Sequence, residues 1–430
     1  MNTLTAVKPL AISACVFLLS ITAPLTLAQE LTLTPEEQVK LKTLTAFLKK
    51  SDDFLPTVNR IDPSSLPVTL PYDLVLDHIV VDVAIGDSDA LPFMFDTGAP
   101  TYISQEISDS TPGDTIIETV GAAGGGKLIW SPLRKVPSIK VESGPTLMDA
   151  TAQVGWEPES GLYCVSPHGL LGAPAMRNAV WQIDYEAKHI TVAESVNQLD
   201  HIKEAIELPF TTKPNSLSPS PQVELGVGNG TLTFLVDTGG GIPLTINTKD
   251  LAEVGIEVPA NAPMSLNLAG GAAGSFEIKL AGMQLPVKIG DKKINTTVFV
   301  GDGMAPTTAG NMGHMFLKNF IVTFDWTEKK MYLKPLAKDG SVELISDAQA
   351  AGIGMQGDKV IINSLAVGGP SDKAGLSLGE IVTKVDGKEV ENISLEAYCN
   401  LLKTKPQSVT TKSGKTYEIG TIEGFFTLKR

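Results

Sequence analysis

The chain has 430 residues, a formal net charge of −14, 43% hydrophobic and 19% charged residues. A surface this acidic repels phosphate backbones, so no nucleic-acid partner is expected. The length predicts about two or three domains with ample core, and only three cysteines exclude a disulfide-built scaffold.

Residues 1–28 read as an export signal rather than as part of the fold. Lys8 supplies the positive end, Leu10 to Leu27 is largely apolar, and Thr26-Leu27-Ala28 forms a small-residue cleavage site before Gln29. A retained membrane anchor is the alternative. Ile12-Ser13-Ala14-Cys15 also resembles a lipobox, but the apolar run before Cys15 is short and continues past it. Export without a lipid anchor is therefore expected.

Residues 29–70 are expected to form a helical segment and a linker. Thr34, Pro35 and Glu37 make a capping box with proline in the first turn, followed by a stripe of Val39, Leu41, Leu44, Phe47 and Leu48. This helix is either an inhibitory pro-segment or one that simply packs on the body. Ile61 to Tyr72, with Pro63, Pro67 and Pro71, reads as a linker or an edge segment.

Residues 71–200 open with His78–Ile85, a β-branched strand, and a turn at Gly86–Asp89. The next strand, Pro92-Phe93-Met94-Phe95, delivers Asp96 into Thr97-Gly98-Ala99. Residues 201–340 repeat this plan: Gln222–Val227, a turn at Gly228-Asn229-Gly230, then Thr231 to Asp237 leading into Thr238-Gly239-Gly240. A carboxylate at the end of a buried strand is costly unless it is paired or used.

The two aspartates are 237 − 96 = 141 residues apart, and other features repeat at the same offset. Gly169-Leu170-Leu171-Gly172 maps onto Gly310-Asn311-Met312-Gly313, and Val180–Tyr185 maps onto Ile321–Trp326. Gly121-Ala122-Ala123-Gly124 has a twin in Gly271-Ala272-Ala273-Gly274 at an offset of 150, so a loop-length difference is absorbed. The chain is mainly β, built from two homologous lobes that each form a small barrel, with Ser195–Ala205 connecting them.

Across roughly residues 75–340 these motifs resemble the retropepsin-like and pepsin-like aspartic peptidases, in which each lobe supplies an Asp-Thr/Ser-Gly strand end. The resemblance implies acid-protease-type lobes with Asp96 and Asp237 catalytic and Thr97, Gly98, Thr238 and Gly239 supporting them. It places Gly121, Gly124, Gly125 and Gly126 at the tip of a substrate-covering flap, with Gly271 and Gly274 as the second-lobe counterpart. An ordinary flexible loop is the other reading of that glycine run. No cofactor and no metal are implied. Both aspartates lie in one chain, so a monomer suffices. Gly240, Gly241 and Asn311 depart from the pattern, and a polar Asn311 behind the catalytic loop needs a partner.

Other chemistries lack their residues. The five histidines form no His-Glu-x-x-His, no Gly-x-Ser-x-Gly elbow occurs, and the glycine runs lack the lysine of a phosphate loop.

Residues 341–430 form a different, small α+β unit. Lys359–Asn363 reads as a strand, followed by Ala374-Gly375-Leu376 and by Gly379-Glu380-Ile381 with an Asp386-Gly387 hairpin. This resembles a PDZ domain. The resemblance makes Gly352-Ile353-Gly354-Met355 the loop that captures a peptide C-terminus or a regulatory segment. Cys164 and Cys399 lie in different units, and a bond between them is left open.

The sequence thus predicts an exported aspartic endopeptidase acting on peptide or protein substrates, with a PDZ domain for recognition or regulation. Its lobes and PDZ domain lean towards a bacterial periplasm. A non-catalytic peptide-binding or scaffold protein that keeps the fold is the alternative. A third reading is a peptidase held latent by residues 34–50 or by its PDZ domain.

Overall fold

The computed structural model describes residues 34–122, 128–157, 160–271, 274–302 and 307–427. The expected signal segment, 1–28, and the glycines Gly124, Gly125 and Gly126 lie outside the described residues. The fold is mainly β. Its centre is a run of antiparallel strands shared by two lobes, in the order Val68–Pro71, His189–Ala193, Val180–Asp184, Phe320–Asp325, Lys330–Pro335 and Ile206–Thr212.

The two innermost strands pair Gln182 with Thr323, its equivalent in the other lobe, and the Gln182 amide Nε2 donates to Thr323 Oγ1 at 2.9 Å. Pairing a residue with its own counterpart puts a local two-fold axis through that point. Every residue of Phe320–Asp325 is buried, and so is Val180–Ile183. Such continuous apolar runs suit strands covered on both faces. Val68–Pro71, bounded by Pro67 and Pro71, takes the outer edge, where a missing N–H does least harm.

Each lobe holds the strand that ends in its aspartate between an antiparallel and a parallel neighbour. Leu91–Asp96 lies between His78–Ile85 and Gly169–Gly172. Gly230–Asp237 lies between Pro221–Val227 and Gly310–Gly313. A side chain on Gly172 would collide with the backbone of Ala99 and Pro100, and one on Gly313 with that of Ile242 and Gly240. Glycine there lets the parallel strand pass directly against the Asp-Thr-Gly turn.

Each lobe also carries the expected hairpin. In the first, Thr115–Ala122 pairs with Leu128–Lys135, and in the second, Met264–Gly271 pairs with Gly274–Ile289. The two hairpins have different neighbours. The N-terminal helix Pro35–Leu48, capped by Thr34 and Glu37 as expected, packs Leu44 and Leu48 against Ile117, Val120 and Leu133 of the first hairpin and Leu217 of the second lobe. Val39 does not belong to its buried stripe: it is 65% exposed, because it lies off the face that Leu41, Leu44 and Leu48 share.

The second hairpin instead continues into the C-terminal domain. Ser265, Leu266 and Asn267 pair antiparallel with Ala366, Leu365 and Ser364. That domain is a small sheet with the helix Leu395–Leu402, closed around Ile353, Val360, Ile362, Leu365, Val385 and Tyr398.

The expected carboxylate-binding loop is not a loop. Gly352, Ile353, Gly354 and Met355 lie in the strand Ala351–Gln356, which pairs with Lys359–Ala366 across the turn at Gly357, with φ +62°. That tight turn leaves the whole Ala351–Gln356 run in the ladder. Ile353 is buried and its carbonyl accepts the Tyr398 hydroxyl at 3.1 Å. The six-residue helix Ser160–Val165 of the first lobe lies against this strand and against Leu395–Leu402, and a Cys164–Cys399 disulfide fixes it there.

Candidate active site

The two Asp-Thr-Gly turns meet face to face across the lobe junction. The Thr97 amide donates to Thr238 Oγ1 at 3.0 Å, and the Thr238 amide donates to Thr97 Oγ1 at 3.1 Å. Each hydroxyl then donates onward into the opposite lobe, Thr97 Oγ1 to the Val236 carbonyl at 2.8 Å and Thr238 Oγ1 to the Phe95 carbonyl at 2.9 Å. Both threonines are fully buried. Threonine suits this place because one hydroxyl both accepts and donates.

This grip sets each aspartate beside the other lobe's glycine. A Cβ on Gly98 would stand 2.7 Å from the Asp237 carboxyl carbon, and one on Gly239 would stand 2.5 Å from that of Asp96. Any larger residue in either turn would push the two carboxyls apart. Each glycine also turns its amide onto its own aspartate: Gly98 N–H donates to Asp96 Oδ1 at 2.7 Å and Gly239 N–H to Asp237 Oδ1 at 2.9 Å. The structure therefore brings together all six residues expected at the dyad.

The two carboxyls are not equivalent. Asp96 is 7% exposed, and its acidity is pushed well below that of an ordinary carboxyl, so its pKa lies well above the usual range. Burial is the largest cause, the Asp237 charge adds to it, and the amides of Gly98 and Ala99 oppose it. Asp237 is less buried, and its Oδ2 accepts the Asn311 side-chain amide at 2.8 Å. The polar residue in the second lobe's parallel strand thus has its partner, although its Oδ1 is buried without one.

Two histidines stand near the second turn. His78 comes closest to Gly241, with Nδ1 against the Leu76 carbonyl at 2.8 Å. His314 is 2% exposed and its backbone amide donates to the Gly240 carbonyl. Burial, with the His78 charge second, lowers its pKa to about 4. Neither histidine was singled out by the sequence, where neither sits in a motif.

The flap glycines divide. Gly121 lies one pair from the end of the ladder Thr115–Ala122, opposite Ile129, while Gly271 and Gly274 pair with each other at the end of the second hairpin. The second hairpin is tied into the sheet of the C-terminal domain, whereas the first is covered by the N-terminal helix. Gly352–Met355 lies apart from the dyad, in the C-terminal domain. Among the described residues, no cluster of histidine, cysteine and acidic side chains is arranged to hold a metal ion.

A PDZ domain family model matches residues 361–412, and the chain carries such a domain. Among solved structures the chain is similar to basic 7S globulin from soybean, 11% identical over 62% of this chain and 94% of that one, at a TM-score of 0.38. It is similar also to an aspartic proteinase from Irpex lacteus, 15% identical over 62% of this chain and 96% of that one, at a TM-score of 0.39. By sequence, no curated protein matches the chain. The chain is thus a two-lobed, mainly β protein that carries a PDZ domain.

Proposed function

We propose that the protein is an aspartic endopeptidase that cleaves peptide bonds between the lobes. The observation that carries this reading is the reciprocal threonine grip, which holds Asp96 and Asp237 each against the other lobe's glycine. Two carboxyls this close do not both ionise, so one proton is shared at working pH. The ionised carboxylate takes a proton from a water as it attacks the scissile carbonyl carbon, and the neutral carboxyl donates to the carbonyl oxygen. Collapse breaks the C–N bond and passes a proton to the leaving nitrogen, which restores the pair. Proteolysis of a diverse peptide mixture across about pH 3–8, by the protein and by its Asp96→Asn and Asp237→Asn variants, tests this. Cleavage that survives in either variant refutes the dyad.

The described form reads as latent. Leu44 and Leu48 of the N-terminal helix hold the first hairpin against Leu217 of the other lobe, and a hairpin so held does not lift for a substrate. Removing residues 29–57 is expected to raise kcat/KM about tenfold or more. An unchanged value would make the helix a packing element only.

Export to a periplasm fits the leader-like residues 1–28 and a disulfide between distant parts of the chain. A single chain carries the whole dyad, so the working form is a monomer. The PDZ domain would present its groove to a peptide only after the helix Ser160–Val165 leaves it.

A further inference from the structure

The two lobes differ at one place that touches the reacting atoms. In the first, Leu170 stands in the parallel strand beside Met94, two residues before Gly172, which pairs with Asp96. Its side chain joins an apolar cluster with Val80, Met94, Tyr102 and Trp156. In the second lobe the same register position, beside Leu235 and two residues before Gly313, is Asn311. Its Nδ2 donates to Asp237 Oδ2 at 2.8 Å.

The residue after the second turn makes this contact possible. A Cβ on Gly240 would stand 3.0 Å from Asp237 Oδ2 and 3.2 Å from Asn311 Nδ2, tighter than nearly all real contacts. The first lobe has Ala99 at that place and no side-chain amide to accommodate. Gly240 and Asn311 are thus one device, split over two strands. The orientation of the amide is settled by its single partner, because the flipped form would set Oδ1 against a carboxylate oxygen.

We infer that Asn311 is a positioning residue that fixes the division of labour in the dyad, keeping the negative charge on Asp237 and the proton on Asp96. A neutral N–H donor stabilises a carboxylate far more than a protonated carboxyl. Asp237 accepts such bonds on both oxygens, from Gly239 N–H on Oδ1 and from Asn311 on Oδ2. Asp96 is served by the backbone amides of Gly98 and Ala99, has no side-chain amide among its described donors, and is the more buried of the two. Asp237 would therefore be the general base, and Asp96 the acid that polarises the substrate carbonyl. The titration still belongs to the coupled pair, and Asn311 sets which microstate dominates. Other titratable groups around the second turn include His78, beside Gly241, and His314, behind Gly240, with the charges of Asp77 and Lys318 acting on His314. Neither faces the Asn311 amide in a hydrogen bond.

This inference rests on the peptidase reading, and its test has one arm that does not. The variants are Asn311→Leu, which installs the first lobe's residue, and the double variant Ala99→Gly with Leu170→Asn, which offers Asp96 a matching amide with the room it needs. Carboxyl-carbon NMR titration of the full chain reads the charge on each aspartate without any turnover. The pH profile of kcat/KM reads the same asymmetry in catalysis. In Asn311→Leu the acid limb is expected to move up by about one pH unit, a tenfold loss at the acid end, with the alkaline limb in place. The double variant is expected to move the alkaline limb down instead. A folded Asn311→Leu protein with both limbs and both titrations unmoved overturns the inference, even if its rate falls uniformly. If the unaltered protein cleaves nothing at any pH, with or without residues 29–57, the peptidase reading fails. The NMR titration then still decides the role of Asn311.

Discussion

The first and second lobes share a strand plan, yet they differ beside the paired aspartates and in what covers their hairpins. Leu170, Ala99 and Ala173 of the first lobe stand where the second has Asn311, Gly240 and His314. The first lobe's hairpin lies under the N-terminal helix, while the second lobe's hairpin is a strand neighbour of the PDZ domain. Duplication supplies two carboxyls in matched positions, which is what a shared proton requires. Divergence of a few side chains around those positions then makes the two carboxyls chemically different, while the threonine grip stays symmetric because both halves of it carry the junction.

The symmetric part can be broken from either side. Asp96→Asn and Asp237→Asn should each lower kcat/KM by about 10³-fold or more, measured with one peptide substrate. Equal losses would confirm that neither lobe works alone. Thr97→Val and Thr238→Val should each lose about 2–4 kcal/mol of unfolding free energy, because each leaves a buried amide and a buried carbonyl without partners. Denaturant titration checks this, and a large difference between the two would show that the lobes do not depend on each other equally.

The asymmetric part shows in pH dependence, where the two lobes should pull in opposite directions. His314 is held neutral in the fold, with its pKa lowered from 6.5 to about 4. The unfolded chain therefore binds the extra proton first as pH falls, and stability present above about 6.5 is lost towards pH 4. The full effect is about 3 kcal/mol, and His314→Phe should remove it from the stability profile. Asp96 has the reverse sign. Its pKa is raised in the fold, so the native state binds more protons and stability declines as pH rises from the ordinary carboxylate range through the raised value. Asp96→Asn should flatten that limb in the same measurement.

The attachments of the PDZ domain sharpen the comparison further. The first lobe is joined to it by Cys164–Cys399, and the second by the pairing of Ser265–Asn267 with Ser364–Ala366. Cys164→Ser is expected to lower stability by about 2 kcal/mol, at the low end for a disulfide because the strand pairing remains. Its other expected effect is to let the helix Ser160–Val165 leave the groove, seen as faster hydrogen exchange in the strand Ala351–Gln356. Unchanged exchange would mean that packing alone keeps the helix in place.

Much of this was legible in the chain itself. The offset of 141 located the dyad, the grip and the paired central strands, because each is a local motif repeated whole. The capping box at Thr34 and the strands that flank Asp96 and Asp237 likewise follow from short-range rules of side-chain alternation and backbone donors. Asn311 announced itself as a departure, and its partner could be asked for though not named.

What only the tertiary structure decided are the contacts between parts distant in sequence. The resemblance to a PDZ domain makes Gly352–Met355 a loop, yet the turn at Gly357 and pairing with Lys359–Ala366 make it a strand. Cys164 and Cys399, separated by 235 residues, meet because the first lobe's helix crosses onto the PDZ domain. Leu217 closes against the N-terminal helix, and the Asn311 amide reaches Asp237 through the room that Gly240 leaves. The chain writes its local geometry in nearest neighbours, where a few residues fix a turn or a strand. Which faces then meet depends on shape and on satisfying every buried polar group at once, and no short stretch of sequence carries that sum.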